Sequence, residues 1–217
     1  MEKYITILVY LHAFFGGLGL ITGIGSMTVK KGGRPHRKMG KLFSFGMVLS
    51  SLLSLFIAWA PGHENLFLFL IGVFTIYMVL AGNRSLTFKP WIKRKATYID
   101  YSISGAMLLF SLFMGVLGTI GLINGQYTAA ILYLFFASFG LLFTIRDFIF
   151  YRNFTEKKNE WLLNHIGRMM GALIASITAF GVTGLRIESI LAWILPSLLG
   201  TIYIIYWRKK TKAKIAV

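Results

Sequence analysis

WLLNHIGRMMGALIASITAFGVTG, from Trp161 to Gly184, is long and apolar enough to cross a bilayer, yet it carries Asn164, His165 and Arg168 inside the run. At about 100° per residue, Ile166, Met170, Leu173, Ile174 and Ile177 gather on one side of a helix. The other side holds Asn164, His165, Arg168, Gly171, Ala172, Ala175, Ser176 and Thr178. A membrane helix of this kind shows lipid its bulky stripe and packs its small and polar arc against neighbours. The stretch predicts a central wall of a helical bundle, with Arg168 facing inward.

The rest of the chain agrees with that reading. It has 217 residues, 56% of them hydrophobic, 19 Phe and only 7 acidic residues, and its mean hydropathy is +0.70. One globular core could not hide that much apolar surface. Seven stretches reach the length of about 20 residues that a span needs, at 4–27, 42–60, 66–83, 98–123, 128–148, 161–184 and 189–207. The fold class expected is an all-α, polytopic transmembrane bundle forming a single integral membrane domain over 1–217. The first run follows only one basic residue, Lys3, and exceeds the 7–15 residues of a signal core, so it reads as a retained span. There is no cysteine, which removes disulfides, thiolate metal sites and cysteine nucleophiles together.

A formal charge of +16 would point a soluble protein toward nucleic acid. Here the charge alternates between connections. Lys30, Lys31, Arg34, Arg37, Lys38 and Lys41 lie in the first, and Arg84, Lys89, Lys93, Arg94 and Lys95 in the third. Arg146, Arg152, Lys157 and Lys158 surround the fifth, and Arg208, Lys209, Lys210, Lys212 and Lys214 fill the tail. The other side has only Lys3 and Arg186. The positive-inside rule then places the N-terminus outside and the C-terminus in the cytosol. The partners expected are membrane lipids, with anionic headgroups on the cytosolic side, and no nucleic acid. Trp59 and Trp193 fall toward the outer boundary and Trp91, Trp161 and Trp207 toward the inner one, as interfacial aromatics do.

Ionisable groups at membrane depth are functional hypotheses by default. His12 shares a helical face with Gly16, Gly19, Gly23 and Ser26. Asp100 shares one with Ser104, Ser111, Gly115 and Gly118, and Asp147 one with Thr144, Gly140, Ala137 and Tyr133. Each polar group therefore sits on a small-residue face and points into the bundle. By helical rise, His36, Asp100, Asp147, His165 and Arg168 can share a pocket at the cytosolic end, while His12 is alone in the outer half.

Three readings of that pocket stand side by side. The first is a set of structural ion pairs, with Arg168 facing Asp100 or Asp147, and Asn164 and His12 as further structural or tuning groups. The second is a cofactor site. His36 and His165 can be the axial ligands of a b-type haem or, with Asp100 and Asp147, an N/O set for a divalent metal such as zinc. The third is a proton-linked path for a small solute through the carboxylates and histidines. An assembly or lipid-interacting protein without chemistry completes the range. No phosphate-binding loop, dinucleotide fingerprint, H-E-x-x-H or C-x-x-C-H is present, and no Ser, His and Asp arrangement stands out as a nucleophile.

With His12, HRKMGKLFSF at 36–45 and HIGRMMG at 165–171 in place, the chain resembles bacterial multi-pass membrane proteins of a family of unknown function. It is more distantly similar to cytochrome b561-like haem proteins, whose histidines sit on membrane helices near each face. The first resemblance implies a bacterial cytoplasmic (inner) membrane and no particular activity; the second implies haem ligation. The chain departs from a two-haem pattern because His12 has no second helical histidine on its side.

Overall fold

The computed structural model describes residues 2–89, 92, 95–153, 159–187 and 189–216, with side chains as far as 211. The helices are α1 (Glu2–Thr28), α2 (Arg34–Ile57), α3 (Leu66–Ser85), α4 (Tyr98–Ile123), α5 (Tyr127–Asn153), α6 (Glu160–Ala179, continued by a π-helical turn Phe180–Gly184) and α7 (Ile190–Ala216). There is no strand among the described residues. All seven helices are long and apolar enough to cross a membrane. The chain is an all-α integral membrane protein.

Three helices run beyond their apolar windows at the basic end. α2 starts at Arg34 with Pro35 in its opening turn, where a fixed φ and a missing N–H cost nothing. α5 and α7 continue through Arg152 and through Arg208 to Lys214, because lysine and arginine are good helix formers and favour the negative C-terminal pole. Trp91, Lys93, Arg94, Lys157 and Lys158 lie outside the described residues.

The centre of the bundle is α3, not α6. Eleven of the 20 residues of α3 are buried, and it packs against α2, α4 and α6. LFLFLIGVFTIYMVL is apolar all round, and a helix without a polar face belongs inside. α6 is the second wall, touching α3, α7 and α1. Its bulky stripe is not wholly given to lipid: Leu173 is buried, packed in one core with Phe43 and Met47 of α2. Ile177 is exposed, as the stripe predicts.

The outer helices attach through their small residues. α1 buries only Gly19 and Gly23. A Cβ on Gly46 of α2 would stand 2.7 Å from the Phe15 carbonyl oxygen of α1, so those two backbones are in contact. On α4, Asp100, Ser104, Ser111 and Gly118 are buried, and on α5, Ala137, Gly140, Thr144 and Asp147. These are the faces that the polar spacing predicts.

Aromatic contacts mark the two ends. At the end of connections one, three and five, Lys31 lies over the Trp207 ring at 5.1 Å and Lys89 over Trp161 at 5.0 Å. At the opposite end Trp59 is exposed, but Trp193 is buried, its ring 5.1 Å from Phe67. Trp193 is thus a core residue rather than an interfacial anchor, because the Phe67, Tyr133 and Phe136 rings enclose that site.

Candidate functional site

The five groups expected in one pocket at the basic end resolve into two clusters on either side of α3. The first is built around Asp147 of α5. Arg168 Nη2 donates to Asp147 Oδ1 at 2.6 Å and to the Phe143 carbonyl at 2.8 Å. The Phe143 ring lies 4.4 Å from the guanidinium carbon, giving the cation an aromatic face as well. Tyr77 of α3 donates to Asp147 Oδ2 at 2.5 Å, and Ser104 of α4 donates to the same oxygen at 2.9 Å. Ser104 also meets the Tyr151 hydroxyl at 2.9 Å, and that hydroxyl reaches the Asp100 carbonyl at 3.3 Å.

This cluster ties α3, α4, α5 and α6 together around one ion pair. Buried charges persist in hydrocarbon when paired and hydrogen-bonded on their remaining sites, and Asp147 meets that condition. Arg168 meets it less fully: its Nε is buried without a partner among the described residues.

Asp100 belongs to the margin of the same cluster and has its own cation. Arg84 Nε donates to Asp100 Oδ1 at 2.5 Å. The Thr97 backbone N–H and hydroxyl both donate to Oδ2 at 2.8 Å, closing a capping box at the start of α4. Arg168 therefore pairs with Asp147, and Asp100 with Arg84.

The second cluster holds the histidines. His165 Nδ1 lies 2.9 Å from the Gly82 carbonyl of α3, and His36 Nδ1 lies 3.1 Å from the Ser26 carbonyl of α1. Both carbonyls belong to last turns, where the helix itself leaves acceptors open. A carbonyl only accepts, so each neutral ring carries its hydrogen on Nδ1 and presents a lone pair at Nε2. Neither Nε2 has a hydrogen-bond partner among the described residues. Asn83 Nδ2 donates to Ser44 Oγ at 2.9 Å, so consecutive residues of α3 hold both α6 and α2.

His12 repeats the device in the other half of the bundle. Its Nδ1 lies 2.9 Å from the Ser50 carbonyl, and the Ser50 hydroxyl donates to the His12 carbonyl at 3.0 Å. Asn164 is buried on α6 and makes no side-chain hydrogen bond to a described residue.

The donor sets decide what each cluster can hold. No group of three or more His, Asp or Glu among the described residues could hold a metal ion. The N/O set of His36, His165, Asp100 and Asp147 is not assembled, since both carboxylates are engaged by arginines. Each of the two imidazoles is held to a main-chain carbonyl through one nitrogen only.

Sequence reasoning missed Tyr77, Arg84 and Tyr151. Tyr77 lies in a helix with no polar face to flag it, and Arg84 reads as one more topology charge. Tyr151 sits four residues after Asp147, a signal in plain view once α5 is extended past residue 148. Comparison with known proteins finds no matching family model, no matching curated protein and no matching solved structure. The fold and its buried clusters define the chain as a seven-helix integral membrane protein, and function has to be argued from those clusters.

Proposed function

We propose that this is a small membrane redox protein that holds a b-type haem between His36 of α2 and His165 of α6. One observation carries the reading: each Nδ1 is tied to a main-chain carbonyl while each Nε2 stays unpartnered. Locking the ring through its other nitrogen is how proteins fix the tautomer and direction of a ligating histidine. Bound haem supplies one-electron oxidation and reduction at its iron. The chain's own part is to orient two imidazoles, while α3 braces α6 through Gly82 and α2 through Asn83. The Asp147–Arg168 pair, one turn further into the bundle, fixes α6 against α5 without adding net charge.

The basic connections further support placing this end in the cytosol and the N-terminus outside. The protein purified from haem-sufficient cells should show a Soret band that is lost in both His36→Ala and His165→Ala. A haem-free wild type under those conditions sinks the proposal. A cytosolic reporter fused after Val217 should be active; activity only from an external reporter would reverse the orientation.

A second reading, a proton-linked carrier of a small solute, is favoured by the run Tyr151–Ser104–Asp147. It requires a pH-driven flux in liposomes that disappears in Asp147→Asn. That run reaches the basic end alone, which places the reading second.

A further inference from the structure

α7 packs on α6 and α5 on α4, and α5 and α7 do not pack along one another. Residues of both helices, together with Met78 of α3 and Ala175 of α6, line one shallow cavity of about 40 Å³. Phe139 and Phe143 of α5 form one wall, and Thr201 and Ile204 of α7 the other. The lining is almost wholly apolar, so water has no reason to fill it. Ser197, beside Pro196, also lines it and donates its hydroxyl to no described residue.

Both walls lead to an arginine. On α5 the stripe 135, 139, 143 continues at helical spacing to Arg146, and on α7 the stripe 197, 201, 204 continues to Arg208. Arg146 and Arg208 thus end the two walls on the same, basic side of the bundle. Arg146 is exposed, with no ion pair or hydrogen bond among the described residues. Arg208 has Glu160 at 3.9 Å and donates to the Leu163 carbonyl at 3.5 Å. Arg168, paired with Asp147, adds no net charge at this end. Two arginines against one glutamate leave a single positive charge at the mouth of an apolar slot. From Phe135 to Arg146 the helix rises about 16 Å, close to the ~15 Å that half of a bilayer's hydrocarbon core provides.

We propose that this slot is a binding site for one anionic phospholipid of the surrounding bilayer, its acyl chain lying between α5 and α7 and its phosphate between Arg146 and Arg208. The site is independent of any haem. The charge matches a phosphodiester, the depth matches one leaflet, and the lateral opening admits a lipid without passage through water.

The test uses the full chain, delipidated in detergent and titrated with phosphatidylglycerol, phosphatidylcholine or inorganic phosphate, with bound lipid counted by native mass spectrometry. One phosphatidylglycerol should be retained in preference to phosphatidylcholine. R146Q, which removes an unpaired surface charge and leaves the fold intact, should weaken phosphatidylglycerol binding about fivefold and leave phosphatidylcholine unchanged. I204W, which fills the slot, should reduce retention of both lipids; if it fails to fold, T201L serves the same purpose. Equal binding of the two lipids, or no change in R146Q, overturns the proposal. Displacement of the lipid by inorganic phosphate at comparable concentration overturns the acyl-chain part of it.

Discussion

The carboxylate cluster and the histidine cluster sit one helical turn apart on α6, and they are finished to different degrees. Around Asp147 both carboxylate oxygens are engaged, by an arginine, a tyrosine and a serine from three other helices. Around His36 and His165 one nitrogen of each ring is engaged and the other is not. A closed polar network in hydrocarbon spends its interactions on holding helices together. A half-open one leaves ring nitrogens that take no part in holding the helices. The contrast separates the residues that build this bundle from those that can serve it.

Breaking the closed side should do the most damage. Arg168→Ala leaves Asp147 as an unpaired buried carboxylate and should cost about 3–5 kcal/mol. Thermal melts in detergent would show this as a large fall in Tm, and Asp147→Asn combined with Arg168→Met should recover part of it. Tyr77→Phe removes one donor to a charged acceptor and should cost about 1.5–3 kcal/mol. If either change leaves Tm untouched, the network is not closed in the sense argued.

The open side should respond differently. His165→Ala removes one cap on α3 and should cost about 1 kcal/mol, while abolishing any Soret absorption. A loss as large as that of Arg168→Ala would make His165 a structural residue first.

The smallest effect belongs to the loop beyond both clusters. Lys31 donates to the Ser26 and Met27 carbonyls and lies over Trp207, and burial lowers its ammonium pKa below the usual lysine value. The unfolded chain then holds that proton to higher pH than the folded one. Stability should therefore rise slightly with pH between the lowered value and the ordinary one near 10.5. Lys31→Met should flatten that slope in pH-dependent melts.

The seven spans and the inward faces of α1, α4 and α5 were legible because length, hydropathy and the period of small residues are local properties. The choice of partners was not. Arg168 can reach a carboxylate on either α4 or α5 by depth alone, and only the place of its guanidinium in the folded bundle selects Asp147. Tyr77 was invisible for the reason that α3 is central: a helix buried on every side has no amphipathic pattern to read. Arg84 was hidden by its company, since a run of basic residues at a membrane boundary already has a sufficient explanation in topology.

The Asp147–Arg168 pair has a consequence for how the protein is made. Chains emerge N-terminus first, so α5 enters the bilayer while α6 is still being synthesised. A lone arginine or aspartate near the centre of a span costs about 2.5–3.5 kcal/mol at insertion. Asp147 and Arg168 meet at one depth in the folded bundle, so neither faces hydrocarbon alone once both helices are in place. α6 should thus insert poorly in isolation and well when α5, already in the bilayer, offers Asp147 to its arginine.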